Sequence, residues 1–296
     1  MRVVLAPFIF VIHTTLQISN LAFWGMLIIT FGLVKLVLPF EGIKALFSSL
    51  MNGMLCGFGK VSVSMIRLFN PVDIEYRIDG ELDKDNWYLI VANHLSYLDI
   101  VLMIEFAADR IPAPKFFLKK ELIWLPFVGL GAWALDMPFM RRYSQAYIAK
   151  HPDKKGMDIA TTKKYCEKFK TQPTTVINFV EGTRFTPQKH AQKGGEFTHL
   201  LPPKAGGIAF TLATMGELFT NILDVSLMYP ENRRHPMVEM LSGCMKKIVI
   251  DVKVLEVPAE AQGDYFEDES FRQRFQAWLN RLWTEKDQRI NKLLGM

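Results

Sequence analysis

The segment that follows residues 87–93 holds the clearest candidate for chemistry. It contains His94 and, five positions later, Asp99. A histidine can accept a proton near neutral pH, and a nearby carboxylate orients its ring and stabilises the charged form. Residues five apart on one helix point in different directions, so the two side chains can meet only if His94 precedes a helix and Asp99 lies in its first turn. The sequence predicts a strand-to-helix boundary at this point.

A structural role for the same residues is also open. Ser96 and Asp99 have the spacing of a helix capping box, in which side chains accept hydrogen bonds from the free N–H groups of the first turn. His94 would then be a turn residue whose ring is satisfied locally. The residues alone leave both catalysis and capping as interpretations.

A second polar turn follows another apolar run, residues 174–180, and reads Glu181, Gly182, Thr183, Arg184. Gly182 permits a tight bend and a close backbone approach. Arg184 can bind a phosphate through two parallel hydrogen bonds, and Glu181 could bind substrate hydroxyls or fix Arg184. The alternative is a surface turn with a local Glu–Arg pair, which would contribute little to stability.

Apolar and alternating runs predict the elements that carry these turns. The predicted strands are 72–79, 87–93, 174–180, 222–229 and 247–257, and the predicted helices are 96–108, 158–170, 205–219 and 266–294. Because strands alternate with helices, we expect an α/β fold whose central sheet, mostly parallel or mixed, is flanked by helices. Ligand sites in such folds lie beyond the carboxyl ends of strands, where both polar turns fall.

The first 70 residues form a separate, apolar part of the chain. Residues 3–34 contain no Asp, Glu, Lys or Arg, and this run exceeds the roughly 20 residues that cross a bilayer core. No small-x-small cleavage site follows its first part, which favours a retained membrane segment over a cleaved signal peptide. His13 and Gln17 within it are expected to face lipid headgroups or a neighbouring helix.

A second apolar segment, residues 42–69, carries three basic residues. That mixture is typical of an interfacial or re-entrant helix at least as much as of a full span. The two segments could form a helical hairpin that dips into one leaflet. We therefore expect an N-terminal membrane-anchoring part at 1–70 and a catalytic domain at 71–296.

The composition of the 296 residues narrows the functional class. Half of the residues are hydrophobic and 22% are charged, which excludes intrinsic disorder and disfavours a multi-span transporter. Residues 1–70 hold +4 of the net +5 charge, so the basic excess suits an anionic membrane surface. There is no dense basic stripe, so no nucleic-acid partner is expected.

No metal site is predicted either. The three cysteines are far apart in the sequence and suit core positions in a reducing compartment, and no HExxH or paired-cysteine motif occurs. His190 and His199 lie nine apart in a polar, glycine-rich loop, which is a weak metal pattern.

Taken in order, the motifs resemble the glycerolipid acyltransferase family, the 1-acylglycerol-3-phosphate acyltransferases. The matching pieces are H-x4-D at His94 and Asp99, F-V-E-G-T-R ending at Arg184, the blocks 116–122 and 139–142, and P-K-A-G-G at 203–207. The long loop after Arg184 is most similar to the lysocardiolipin-acyltransferase-like branch. Lys204 stands where that branch often has Arg, which bears on the identity of the acceptor lipid.

The resemblance implies transfer of a fatty acyl group from a thioester to the sn-2 hydroxyl of lysophosphatidic acid, giving phosphatidic acid. His94 would be the base and Asp99 its orienting partner. The residues expected to bind the acceptor are Arg142, Glu181, Gly182, Thr183, Arg184 and Lys204. The cations would hold its phosphate, and Glu181 its glycerol hydroxyl or the arginine geometry. No bound cofactor is implied; the donor would be acyl-CoA or acyl carrier protein.

Two alternatives stay open. The acceptor could be another lysophospholipid, such as lysocardiolipin, lysophosphatidylglycerol or lysophosphatidylinositol, although three motif cations favour a phosphomonoester. The chain could instead be a non-catalytic lipid-binding protein of the same fold. The expected location is the cytoplasmic face of a bacterial inner membrane.

Overall fold

The computed structural model describes residues 2–140, 157–193 and 195–295. Two long helices come first, α1 (Arg2–Val37) and α2 (Glu41–Phe69). They form an antiparallel hairpin, because Asn20 of α1 hydrogen-bonds Ser62 of α2 while Phe31 packs on Phe47 nearer the connection. The expected hairpin of two helices is therefore present.

The rest of the described chain alternates strands and helices. The strands are β1 (Asp73–Asp79), β2 (Tyr88–Ala92), β3 (Pro114–Phe116), β4 (Leu118–Lys119), β5 (Phe139–Met140), β6 (Thr175–Phe179), β7 (Asn221–Met228) and β8 (Lys247–Glu256). The helices are α3 (Leu98–Arg110), α4 (Val128–Ala134), α5 (Met157–Cys166), α6 (Pro187–Gln192), α7 (Ala205–Met215), α8 (Pro236–Leu241) and α9 (Glu269–Leu293). Short 3-10 helices cover Lys120–Trp124, Glu167–Thr171, Gly216–Leu218 and Ala259–Ala261.

Six strands form one mixed sheet in the order β1-β8-β7-β2-β6-β3. β7, β2, β6 and β3 run in parallel, whereas β8 is antiparallel to β7 and β1 is parallel to β8. β4 and β5 form a separate two-stranded ribbon. The predicted α/β class with a mostly parallel, mixed central sheet is confirmed.

Helices cover both faces of the sheet. Leu89 and Val91 of β2 face a core shared with α5, α7 and α9, whereas Tyr88, Ile90 and Ala92 face α2, α3 and α8 on the other side. All five β2 residues are buried, as expected for a central strand covered on both faces. This burial holds the carboxyl end of β2, and the turn after it, in a fixed place.

The helical hairpin packs along the domain over the length of α1. Near its start, Ile9 contacts Gly243. Near its end, Gly32 lies so close to Ala134 that an added Cβ would stand 2.4 Å from the alanine Cβ. Lys35 pairs with Asp136 at 2.5 Å. The outward side of the hairpin keeps many large apolar side chains exposed.

Polar residues of α1 face its partner helix. Gln17 donates to the Ser62 carbonyl at 3.0 Å and lies 3.1 Å from the buried His13 ring. The expectation that these two side chains face a neighbouring helix is met. Among the described helices, Leu5–Val37 of α1 is long and apolar enough to cross a membrane, and α2 does not meet that criterion.

Some predicted elements differ in extent. The helix expected at 158–170 is α5 followed by a 3-10 helix, and that at 205–219 is α7 followed by another. β3, the β4–β5 ribbon, α4, α6 and α8 were not predicted, because each is too short to show a clear hydrophobic period.

Candidate active site

The turn between β2 and α3 brings His94 and Asp99 together. β2 ends at Ala92 and α3 begins at Leu98, so His94 lies in the connection and Asp99 in the first helical turn. Nδ1 of His94 is 2.8 Å from Oδ2 of Asp99. This is the arrangement that the spacing required.

Asp99 also holds the turn that precedes the helix. Its Oδ2 accepts hydrogen bonds from the backbone N–H groups of Leu95 at 2.6 Å and Ser96 at 2.8 Å. The other oxygen, Oδ1, accepts a hydrogen bond from the Tyr229 hydroxyl at 2.5 Å. The two sequence interpretations are compatible in part. The Asp99 carboxylate holds the His94 ring and the N–H of Ser96, while the N–H of Leu98 in α3 donates to Oγ of Ser96 at 3.3 Å.

The His94 ring presents one nitrogen to a substrate. Nδ1 faces a carboxylate that only accepts hydrogen bonds, so the proton belongs on Nδ1 and leaves Nε2 able to accept one. The ring stacks on Phe179 with 4.1 Å between centroids. Its side chain is only 13% exposed. This geometry suits a general base.

The second polar turn lies beside the first. The N–H of Phe185 donates to the His94 carbonyl at 2.7 Å, and the N–H of Val180 donates to the Ala92 carbonyl at 3.2 Å. Gly182 has φ +64, in the left-handed region where a side chain is strained. An added Cβ there would also stand 3.2 Å from Cδ of Lys204.

Glu181 is fully buried behind this turn. Its Oε1 accepts a hydrogen bond from the N–H of Leu201 at 3.1 Å. Burial raises the pKa of the Glu181 carboxyl to about 8. The backbone N–H groups of Leu201 and His94 are its partners, and none of its described contacts is with Arg184, so these contacts do not support the expectation that Glu181 fixes Arg184. Because the side chain points into the protein, a hydrogen bond to a glycerol hydroxyl is also not favoured.

Three cations surround Gly182 and Thr183. The guanidinium carbon of Arg184 lies 3.9 Å from the Tyr97 ring centre. Nζ of Lys189 donates to Oγ1 of Thr183 at 2.7 Å and to the Arg184 carbonyl at 3.1 Å. The Lys204 side chain passes Gly182. Such a group of cations can bind a phosphate by charge-assisted hydrogen bonds.

The predicted site residues have different outcomes. His94, Asp99, Gly182, Thr183, Arg184 and Lys204 are gathered at the two turns, and Glu181 is buried directly behind them. Arg142 lies outside the described residues. Lys189 was missed, although Thr186 followed by Pro187 is a recognisable helix start. Thr186 indeed caps α6 by accepting from the N–H of Lys189 at 3.2 Å.

The two loop histidines have protein partners. Nε2 of His190 is 2.5 Å from the Phe197 carbonyl, and Nε2 of His199 is 3.1 Å from Oδ1 of Asn291. Within the described residues, no group of three or more His, Cys, Asp or Glu side chains is placed to hold a metal ion. The cysteines are free; Cys166 is buried and the other two are half-buried.

A comparison with protein families identifies the catalytic fold. The family model described as Acyltransferase matches residues 73–229, which is more than half of the chain. This chain belongs to the acyltransferase family. The match begins at β1 and ends at Tyr229, and it includes both polar turns.

Similar proteins carry a more specific name. The chain is 28% identical over 212 residues to the mouse 1-acyl-sn-glycerol-3-phosphate acyltransferase delta, covering 67% of this chain and 51% of that protein. The human delta protein is 27% identical over 210 residues, with the same coverage. The mouse alpha protein is 32% identical over 98 residues, covering 33% of this chain and 30% of that one. The chain thus spans about half the length of the delta relatives it matches.

A solved structure shares the fold over almost the whole chain. The crystal structure of the 1-acyl-sn-glycerophosphate (LPA) acyltransferase PlsC from Thermotoga maritima matches with a TM-score of 0.59 and 16% identity, covering 98% of both chains. The likeness therefore extends beyond residues 73–229 to the N-terminal hairpin and the C-terminal helix α9. At this identity it shows the fold alone.

Proposed function

We propose that this protein transfers a fatty acyl group from an acyl thioester to the sn-2 hydroxyl of 1-acyl-glycerol-3-phosphate, giving phosphatidic acid. The observation that carries the proposal is the 2.8 Å contact between His94 Nδ1 and Asp99, which leaves Nε2 open beside a cationic turn. The names of the similar proteins support the same acceptor.

The reaction needs one base. Nε2 of His94 takes the proton of the acceptor hydroxyl as its oxygen attacks the thioester carbonyl carbon, and Asp99 stabilises the resulting imidazolium. The carbon–sulfur bond then breaks and the thiolate leaves. A thiol of pKa about 8.5 is a good leaving group, and the imidazolium returns the proton to the sulfur. No covalent acyl-enzyme is required.

The cationic turn would bind the acceptor phosphate. Arg184 and Lys204 would supply the donors, and Lys189 holds Thr183 and the Arg184 carbonyl in place. We propose Arg142 as a further phosphate ligand from the motif resemblance. A phosphomonoester carries up to two charges, so several cations favour lysophosphatidic acid over a phosphodiester lysolipid.

The hairpin would hold the active site at a membrane. We propose that residues 1–70 anchor the protein and that 71–296 form the catalytic domain. The outward large apolar side chains of α1 include Phe8, Val11, Phe23, Met26, Leu36 and Val37. α1 packs on α4 and α8, which follow β3 and β7 at the edge of the sheet that carries the catalytic turns. Burial of the hairpin in one leaflet would therefore keep this edge at the membrane–water interface. We propose the cytoplasmic face of a bacterial inner membrane as its location.

An acyl-transfer assay with the full chain in mixed micelles tests the proposal. Labelled acyl-CoA and acyl carrier protein are each offered with a panel of lysolipids. Lysophosphatidic acid is expected as the best acceptor, and the donor panel distinguishes the two thioesters. His94→Ala should lower kcat by about 100-fold or more, whereas the exposed His235→Ala serves as the matched control. Near-wild-type turnover by His94→Ala would exclude the assigned base.

A further inference from the structure

The Tyr229 hydroxyl is the single described donor to Oδ1 of Asp99, at 2.5 Å. The other oxygen, Oδ2, receives three contacts, from the His94 ring and from the N–H groups of Leu95 and Ser96. A carboxylate can rotate about its Cβ–Cγ bond unless both oxygens are held. The Tyr229 contact therefore fixes the plane of the group that orients the catalytic histidine.

Tyr229 and Asp99 are both buried, at 1% and 0% exposure. Burial and the neighbouring carboxylate raise the pKa of Tyr229 well above its usual value, so the phenol stays a donor. A buried carboxylate oxygen that lost this donor would have no solvent to replace it, and such unsatisfied groups are costly.

The position of Tyr229 is set by the strands that also position His94. Tyr229 directly follows β7, and His94 follows β2 by two residues. The side chain of Asn93 bridges the two strand ends, because Nδ2 donates to the Leu227 carbonyl at 3.0 Å and Oδ1 accepts from its N–H at 2.8 Å.

A buried lysine of the C-terminal helix makes a second bridge. Nζ of Lys286 donates to the carbonyls of Val91 at 2.8 Å and Val225 at 2.7 Å, and it pairs with Asp224 at 2.7 Å. Lys286 lies outside the segment that matches the family model. The position of the Tyr229 hydroxyl is thus fixed by contacts that join the ends of β2 and β7.

We propose that Tyr229 is a positioning residue for acyl transfer, acting through Asp99 on the orientation and basicity of His94. The inference rests on the proposed function but has a measurement independent of it. Tyr229 touches no reacting atom; it spreads the negative charge of Asp99 over a further hydrogen bond and keeps Oδ2 directed at His94.

Among the described residues, the ionisable side chains that hydrogen-bond Asp99 are His94 on the β2–α3 turn and Tyr229 after β7, and Glu181 after β6 interacts with its charge. Glu181 has a pKa of about 8 and Tyr229 titrates higher still. Because His94 must be unprotonated to act as the base, its protonation would produce the acidic limb of the pH profile.

Tyr229→Phe in the full chain is the decisive variant. Without the hydroxyl, the Asp99 charge is less dispersed and attracts the imidazolium more strongly, so the acidic limb of kcat/KM should move to higher pH. We expect kcat to fall about 10- to 100-fold, the size of one hydrogen bond to a charged group, with little change in the KM of the acceptor. In an Asp99→Asn background the same change should have almost no further effect on kcat.

Tyr88→Phe is the matched control. Tyr88 is equally buried, and its hydroxyl accepts a hydrogen bond from the N–H of Asp83 at 2.8 Å at the opposite end of β2. Its loss should lower the unfolding temperature without moving the pH profile. Thermal unfolding of both variants confirms that each is folded.

The titration of the His94 ring, followed by NMR and assigned with His94→Ala, gives the independent measurement. In Tyr229→Phe its midpoint should move to higher pH whether or not the chosen lipids are turned over. An unchanged midpoint, or an unchanged kcat in an enzyme whose wild type is active, would overturn the role of Tyr229. An inactive wild type with a shifted midpoint would contradict the proposed reaction and leave the positioning role supported.

Discussion

The guanidinium carbon of Arg184 lies 3.9 Å from the centre of the Tyr97 ring. Tyr97 belongs to the turn that carries His94, and Arg184 belongs to the turn after β6. A ring below a guanidinium attracts its charge and leaves its N–H donors free to point sideways at a phosphate. The turn that supplies the base therefore also supports the cation that would bind the acceptor.

Removing the ring should weaken acceptor binding without changing the chemistry. Tyr97→Leu is expected to raise the KM of the lysolipid acceptor about two- to fivefold, the range for an exposed cation–π contact. Tyr97→Phe keeps a ring and should stay close to wild type. Steady-state kinetics with acceptor and donor varied separately provide the measurement, and an equal rise in the donor KM would argue for a general distortion of the turn.

Glu181 should give the protein a distinctive pH dependence. Burial raises the pKa of its carboxyl to about 8 in the folded protein, against an ordinary 4.5 when unfolded. Between these values the folded state holds the proton and the unfolded state does not. This group's contribution to the free energy of unfolding is therefore complete below pH 4.5 and falls as pH rises towards 8, by up to about 1.4 kcal/mol per pH unit.

Glu181→Gln removes that titration. As pH increases from 5 to 9, the unfolding temperature of Glu181→Gln should rise relative to that of the wild type. Thermal unfolding in detergent across this range measures it, with the exposed Glu196→Gln as control. If the unfolding temperatures of wild type and Glu181→Gln changed in parallel with pH, the buried carboxyl would be ionised across this range.

Local patterns predicted the parts of this protein that depend on neighbouring residues. Continuous apolar runs located β2 and β6, because a strand buried on both faces is apolar over nearly its whole length. The five-residue spacing of His94 and Asp99 was decisive, since only a boundary between them lets the side chains meet. The mixed sheet followed from the alternation of strands and helices.

Contacts between distant residues could not be predicted in the same way. Glu181 was expected to bind a substrate hydroxyl or to fix Arg184, three residues away, but its carboxyl accepts a hydrogen bond from the N–H of Leu201, twenty residues along the chain. Tyr229 is 130 positions from Asp99. A hydrophobic pattern cannot predict such a pair, because the contact depends on the order of the strands in the sheet.

Lys115 should produce the opposite pH dependence from Glu181. Burial lowers the pKa of its ammonium from 10.5 to about 7. Nζ donates to Oδ1 of Asn52 at 2.7 Å and to the Leu135 carbonyl at 2.6 Å, joining α2 to the segment after α4. Between pH 7 and 10.5 the unfolded state binds the extra proton, so this group's contribution to stability rises with pH in that range and is lost as pH falls through 7.

Lys115→Met should remove this rise. Relative to Lys115→Met, the wild type is expected to gain unfolding temperature from pH 7 to pH 10. The exposed Lys84→Met controls for the general effect of losing a positive charge. If wild type and Lys115→Met differed by the same amount at every pH, the lysine would be charged at its site throughout.

Trp124 marks a second apolar surface beside the hairpin. Its side chain is 87% exposed, and Leu125, Val128 and Leu130 nearby are also exposed. Phe127 in the same segment packs on Gly25 of α1, where an added Cβ would stand 2.9 Å from the phenylalanine Cβ. The exposed side chains of residues 124–130 therefore lie next to the apolar side of the hairpin. A bilayer that binds the hairpin would also contact these side chains.

Trp124→Ser should then weaken binding to lipid vesicles, by about 10-fold in partition coefficient, because burying a large apolar side chain contributes about 1.5–3 kcal/mol. Trp124→Phe should bind nearly as the wild type does. With bromine-labelled lipid chains, the loss of tryptophan fluorescence should be larger for wild type than for Trp124→Phe, since the variant lacks this highly exposed indole while Trp24 of α1 contributes equally to both proteins. Trp87→Phe, at the other end of β2 where its indole donates to the Phe169 carbonyl at 2.8 Å, should leave the quenched fraction no lower. Equal quenching in wild type and Trp124→Phe would place this segment outside the bilayer.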